Sequence, residues 1–208
     1  MSAHADWLRV QARQREAAGL ARTLHARGPG DEPVDLAGND YLGLSRHPRV
    51  TAAAADAARV WGAGAAASRL VTGTLELHGE LERRLATFCG APAALVLSTG
   101  YHANLAALTA LADPDTLIVS DAHVHASLVD GCRLARGSVR VVPHADVDSV
   151  RSALADRTQT RALVVAESIY SVLGDAAPLT ELLAAWRVWP AGGSCTSCSA
   201  ARGSTASS

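Results

Sequence analysis

Apolar and polar positions change period several times along this chain, and each change marks an element. Trp7, Val10, Ala17, Leu20 and Leu24 recur at helical spacing with Arg, Gln and Glu between them, which predicts a helix over Trp7 to Ala26. Gly28-Pro29-Gly30-Asp31 breaks it, and Val34-Asp35-Leu36-Ala37 reads as a short strand before a turn at Gly38-Asn39-Asp40. A helix follows over Pro48 to Trp61, with Pro in its first turn, then a small-residue loop from Gly62 to Leu70. Another spans Gly79 to Cys89, with Leu81, Leu85 and Phe88 on one face and Gly90 as its stop signal.

From Ala94 onward the period alternates regularly. Ala94-Leu95-Val96-Leu97 predicts a buried strand, Ser98-Thr99-Gly100-Tyr101 a turn, and Ala103 to Leu111 an apolar helix. Strands are then expected at Thr116 to Val119, Val139 to Val142 and Arg161 to Ala166. Helices are expected at His125 to Ala135, Val147 to Leu154 with Asp146 as N-cap, and from Pro178 to Ala185. Continuous apolar strands alternating with helices imply α/β class, with a mostly parallel sheet covered on both faces. Ligands of such a sheet sit at the carboxyl ends of its strands.

From Trp186 the character changes. Gly192 to Ser208 is Gly, Ser, Ala, Thr and Cys with one Arg and no period, and is expected to be disordered. The expected organisation is therefore an N-terminal helix and arm over 1–45, a major domain over 46–185 and a tail over 186–208.

Composition removes several function classes. The net charge of −1 argues against a nucleic-acid or polyanion surface, and no apolar stretch approaches the length of a membrane span. Met1 to Leu20 carries Asp6 and Glu16 and has no apolar h-region, so it reads as no signal peptide, and a cytoplasmic protein is expected. Cys89 and Cys132 lie in helix-like apolar contexts and are expected to be buried thiols. Cys195-Thr196-Ser197-Cys198 has CxxC spacing, but its Gly, Ser and Ala flanks offer neither a second metal-binding pair nor a redox-site framework. The chain has no Lys: all 19 basic residues are Arg.

Three segments place chemistry at strand ends. Thr99-Gly100-Tyr101 joins a strand to a helix, where backbone N–H groups make an anion site and Gly permits close approach; strand-Gly-helix turns without a ligand are also common. His123-Val124-His125 follows the next strand. With Asp121 it offers a metal arrangement lacking an identifiable third ligand, or simply polar loop histidines. Glu167-Ser168-Ile169-Tyr170-Ser171 brings a carboxylate and hydroxyls to the same edge. Gly62-Ala63-Gly64-Ala65-Ala66-Ala67 matches the letters of a dinucleotide fingerprint, but a helix precedes it and none opens directly after it.

Several blocks, in order, resemble the pyridoxal-phosphate (PLP)-dependent α-oxoamine synthases, most closely the members acting in biotin biosynthesis. Asn39-Asp40-Tyr41-Leu42-Gly43-Leu44-Ser45, the Gly73, His78, Leu81, Glu82, Leu85 block and Ser98-Thr99-Gly100-Tyr101 all carry the resemblance. So do His125-Ala126-Ser127-Leu128, the Glu167 and Ser171 pair, and Gly174-Asp175-Ala176-Ala177-Pro178-Leu179. The resemblance implies an incomplete PLP-transferase fold of the aspartate aminotransferase-like type I. It also implies PLP as cofactor, held by the Gly100 and Tyr101 backbone at its phosphate, by the His125 imidazole stacked on its ring, and by Ser171 at its phenolic oxygen. Asn39, Asn104 and Glu167 would stand behind these, and Arg22 would meet a substrate carboxylate. The implied reaction condenses L-alanine with pimeloyl-CoA or pimeloyl-ACP with loss of CO₂, in a homodimer. Sister enzymes using glycine or serine stay open.

The resemblance runs from the first helix to about Leu183 and departs there. The family's Asp-x-x-His and Ser/Thr-x-x-Lys, which pair with the ring nitrogen and hold the cofactor covalently, have no counterpart in these residues. Val172-Leu173 also stands where Met-Asp is more usual. Arg cannot replace the lysine, because its guanidinium does not deprotonate. The residues after Trp186 read like translation in a wrong frame. This chain by itself is thus expected to lack synthase activity, and a non-catalytic dimerising or PLP-binding remnant is the alternative.

Overall fold

The computed structural model describes residues 2–31 and 34–187, and the Cys195 and Cys198 pair lies outside them. The chain divides after Gly64 into two compact units.

The first unit is organised by caps rather than by a core, since none of its described residues is buried. Helix α1 spans Ala3–Ala17, capped by Ser2, whose hydroxyl accepts the Ala5 amide. It stops well short of Ala26. Gly19 takes φ +66°, and its N–H and that of Leu20 return to the Glu16 and Arg15 carbonyls, which closes the helix end. Val34 and Leu36 are almost fully exposed and form no strand, because no neighbouring backbone offers them a ladder. Asp40 organises the next turn. It accepts the Leu44 amide at 2.8 Å and the Ser45 hydroxyl at 2.5 Å, starting a 3₁₀ turn over Leu44–Arg46. The Ser45 hydroxyl in particular holds the Asp40 carboxyl below its ordinary pKa. Helix α2 then covers Pro48–Trp61 as the sequence predicts, with Pro48 at its start and His47 Nδ1 accepting the Arg49 amide.

In the second unit, α3 (Glu76–Cys89) ends at Gly90 in the left-handed region, as expected. Its predicted apolar face is open: Phe88 is 89% exposed, and Cys89 is exposed rather than buried. Ala94 to Leu97, expected as a buried strand, joins no sheet, and Leu95 is largely exposed. Both polar groups of Val96 are taken by side chains instead, its N–H by Glu82 at 2.9 Å and its C=O by Arg69 at 3.3 Å. Arg69 also pairs with Glu82 at 3.0 Å. The Val96 amide is the main reason the Glu82 carboxyl sits below its usual pKa. This ion pair takes the place of a ladder and steers the chain into α4.

Helix α4 (Gly100–Leu111), β1 (Thr116–Asp121), α5 (Ala126–Leu134), β2 (Ser138–Val142), α6 (Val147–Ala155), β3 (Arg161–Val165) and α7 (Leu179–Arg187) complete the unit. The sheet order is β2-β1-β3, all parallel, with Ile118 opposite Val139 on one side and Leu163 on the other. The central strand β1 is buried at every position, which its unbroken apolar run requires. Strand β2 is an edge, and its first four residues are exposed.

Successive crossovers run in opposite directions from β1 and so place helices on both faces. Ile118 packs with Leu108 of α4, Ala112 just past its end, Cys132 of α5, Val165 and Tyr170. Leu117 and Val119 point the other way, into Val150, Ala153 and Leu154 of α6, with Leu182 and Trp186 of α7 packed against that cluster. Burial raises the pKa of the Cys132 thiol. As expected, Asp146 caps α6 through the Ser149 amide. The Gly62 to Ala67 stretch is a loop, with α3 opening only at Glu76.

At Gly131 α5 lies close against α4, and a Cβ there would sit 2.7 Å from Leu108 Cδ1. Gly131→Ala is therefore expected to destabilise the unit by about 1–3 kcal/mol through overpacking, read as a lower denaturant midpoint. Gly79→Ala, inside α3 with no atom within 4 Å of the new methyl, should instead stabilise by roughly 1 kcal/mol.

Candidate functional site

Because all three strands run parallel, their carboxyl ends deliver three loops to one edge of the sheet. The loop after β1 carries His123 and His125, that after β2 carries His144, and that after β3 carries Glu167, Tyr170, Ser171 and Asp175. The helix starts of α4 and α5 complete the assembly.

Gly100 and Tyr101 are the first two residues of α4. Thr99 caps this helix by accepting the His102 amide at 3.0 Å. The Gly100 and Tyr101 amides have no hydrogen-bond partner among the described residues, and nothing lies within 4 Å of where a Gly100 Cβ would sit. The helix thus presents two adjacent N–H groups and the positive end of its dipole to an open position. The Tyr101 side chain turns aside and donates its hydroxyl to Asp130 at 2.7 Å, a bond that raises its pKa.

His125 caps α5. Its Nδ1 accepts the Ser127 amide at 3.1 Å and lies 2.7 Å from the Ser127 hydroxyl. An amide can only donate, so Nδ1 is the bare nitrogen and a neutral ring carries its proton on Nε2. Ser127 is fully buried and accepts from Asn104 Nδ2 at 2.8 Å. This short relay, Asn104 to Ser127 to His125, joins α4, one turn in from its start, to the start of α5. Glu167 accepts the His125 backbone N–H and ties in the loop after β3. Ser171 lies on that loop and is exposed. Of the residues singled out in the sequence, Gly100, Tyr101, Asn104, His125, Glu167 and Ser171 thus belong to one edge. Arg22 and Asn39 lie in the first unit, both exposed.

A second cluster gathers Asp121, His123, Tyr170 and Asp175, which the sequence marks in separate segments, around His144, which it does not mark. His144 Nδ1 lies 3.0 Å from Asp121 Oδ1, and its Nε2 lies 2.8 Å from Asp175 Oδ2. The His144 ring stacks on His123 at 4.5 Å between centroids and meets the edge of Tyr170 at 4.4 Å. Asp121 also accepts the His123 amide at 2.7 Å and the Ala145 amide at 2.8 Å. Burial pushes the Asp121 carboxyl up, but the Ala145 and His123 amides and the His144 ring outweigh it and leave its pKa lowered. Hydrogen bonds to Asp121 and then Asp175 raise the His144 pKa. Tyr170 is 1% exposed, and its hydroxyl has no hydrogen-bond partner. Burial first, then the proximity of the Asp121 carboxylate, an acceptor lying toward the hydroxyl but outside hydrogen-bond geometry, raises its pKa. Among the described residues, no three His, Cys, Asp or Glu side chains are placed to hold a metal. The sequence offers only a histidine after Pro143, with no motif spacing of its own.

The family profile for aminotransferase class I and II matches residues 31–194, so this chain belongs to the class I and II aminotransferase family. Within it, the chain is 57% identical over 176 residues to an 8-amino-7-oxononanoate synthase of Mycolicibacterium gilvum, covering 85% of this chain and 46% of the relative. A serine palmitoyltransferase from S. paucimobilis, solved with a bound PLP–myriocin aldimine, superposes with TM-score 0.76 at 31% identity, over 88% of this chain and 49% of that one. The 8-amino-7-oxononanoate synthase of Francisella tularensis superposes with TM-score 0.59 at 25% identity, over 70% of this chain and 40% of the other. The chain therefore spans about half the length of the curated relatives it matches. The expected α/β, aminotransferase-like fold is confirmed by these structures. No helix among the described residues is long and apolar enough to cross a membrane.

The relay fixes a testable tautomer. Nitrogen NMR of His125 above neutral pH is expected to show an acceptor Nδ1 and a protonated Nε2. Ser127→Ala keeps the backbone amide that donates to Nδ1 and should keep this tautomer, and a protonated Nδ1 in the unmodified chain would contradict the geometry.

Proposed function

We propose that this chain is part of an 8-amino-7-oxononanoate synthase, a PLP-dependent enzyme that condenses L-alanine with a pimeloyl thioester, pimeloyl-CoA or pimeloyl-ACP, in biotin biosynthesis. The observation that carries the reading is the Asn104–Ser127 bond of 2.8 Å, which sets the open start of α4 beside the imidazole at the start of α5. An anion site next to a flat, neutral ring suits a phosphorylated heteroaromatic cofactor.

In this reading the Gly100 and Tyr101 amides hold the phosphate, His125 lies against the cofactor ring, and Ser171 meets its phenolic oxygen. Asn104, through Ser127, and Glu167 keep His125 in place, and a supporting role for Asn39 rests on the resemblance alone. Arg22 receives a substrate carboxylate. When bound, PLP supplies the electron sink for charge developing at the amino-acid Cα. His125 Nε2 is the nitrogen of this chain placed to move a proton there. Residues 1–45 form the arm and 46–185 a portion of the cofactor-binding domain. A cytoplasmic homodimer is the assembly we infer.

The absence of Lys gives this chain no amine side chain for covalent cofactor attachment. That favours a second reading, in which the 208-residue chain binds PLP or dimerises without turnover. In both readings the chain alone forms no product from alanine and pimeloyl-CoA above a protein-free control, and product above that control would refute the expectation. Size-exclusion chromatography bears on the second, which requires a monodisperse dimer or PLP binding.

PLP titration monitored by absorbance and fluorescence tests the site itself. Gly100→Asp puts a carboxylate at the first position of α4, which suits the helix but opposes a phosphate. It is expected to weaken PLP binding by about tenfold or more, the scale of one like-charge contact in a partly desolvated site, with no loss of thermal stability. Equal affinity in Gly100→Asp and the unmodified chain would remove α4 from the site.

A further inference from the structure

We infer that His144, charged and held between Asp121 and Asp175, is the positioning residue that fixes the loop bearing Ser171 against the carboxyl end of β1. The stoichiometry of donors carries the inference. Nδ1 faces both Asp121 oxygens, at 3.0 and 3.2 Å, while Nε2 faces Asp175 at 2.8 Å. A neutral imidazole has one N–H and an ionised carboxylate has none, so both contacts hold only when the ring is an imidazolium. Asp121 cannot supply the missing proton, because it already accepts the His123 and Ala145 amides.

The held loop behaves as one body. Tyr170 donates its amide to the Asp175 carbonyl at 2.9 Å, Gly174 to Tyr170 at 2.7 Å, and Ala177 to Ser168 at 3.1 Å. Residues 168–178 are therefore closed on themselves, with Ser171 near the tip. Asp175 to His144 is the one side-chain hydrogen bond of full geometry that this loop makes among the described residues, and the buried Tyr170 hydroxyl stands near the Asp121 carboxylate besides. The other half of the clasp is set by the backbone: Ala145 takes φ +55°, costly for a residue with a Cβ, while its N–H points at Asp121. The titratable groups facing His144 are Asp121 from β1, His123 from the turn after it, and Tyr170 and Asp175 from the loop. Hydrogen bonds to Asp121 and then Asp175 raise its pKa, so the clasp is held at pH below the ordinary histidine value and opens as pH rises through the raised one.

Ser171's role toward the cofactor rests on the functional reading above. The clasp does not, and its test needs no cofactor. Hydrogen exchange of the 208-residue chain, expressed as protection factors to remove intrinsic rates, is measured from pH 6 to 9 together with the His144 NMR titration. Protection of the Tyr170, Gly174 and Ala177 amides is expected to fall by on the order of tenfold, the scale of one lost charge-assisted hydrogen bond, with a midpoint matching that titration. His144→Gln, which donates but does not titrate, should abolish the step while the β1 amides of Ile118 and Val119 stay protected. Asp175→Asn, at a half-exposed position outside the core, should abolish it too and decides the matter if His144→Gln does not fold. A flat profile in the unmodified chain, or an unchanged step in either variant, overturns the inference.

Discussion

Parallel pairing of β1 with both β2 and β3 is the constraint on which the second unit depends. A parallel neighbour can be reached only by a crossover, so each pairing forces a helix onto a face of the sheet. The two pairings send α5 and α6 to opposite faces and leave β1 with no exposed position. The same direction of travel puts every strand's carboxyl end at one edge. The chemistry collected there, imidazoles, carboxylates and hydroxyls from distant stretches of sequence, is a consequence of strand direction before it is a consequence of any motif.

Two kinds of contact then sharpen that edge. Helix α4 is locked to the start of α5 through Asn104 and the buried Ser127, a neutral, partly buried relay. Loops are locked through carboxylates that accept backbone N–H groups: Glu167 takes the His125 amide, and Asp121 takes those of His123 and Ala145. A carboxylate serving amides stays ionised, and so also attracts whatever cation is near. At Asp121 that partner is His144. The acidic residues of the site thus act chiefly on the chain's own backbone.

The sequence exposed the elements that form locally and missed what depends on neighbours. Helix α2 and the capped α6 were legible to the residue or nearly so, because Pro48 and Asp146 act on their own turns. The core strand β1 was legible from its apolar run. Val34 to Ala37 and Ala94 to Leu97 have the composition of strands but find no ladder, and at Val96 the Arg69–Glu82 pair occupies the backbone instead. Of the candidate site, the residues tied to a helix start or a strand end were found. His144 was not, because its partners Asp121 and Asp175 lie 23 and 31 residues away and only the fold brings the three together.

The capped but coreless character of the first unit bears on how it comes apart. Caps and turns each satisfy a few backbone groups and draw on no common store of buried surface, so their energies add without reinforcing one another. Such a unit, taken by itself, has no basis for an all-or-none transition. It frays turn by turn on warming, while the sheet of the second unit, with two clusters packed on one shared strand, gives way as a whole.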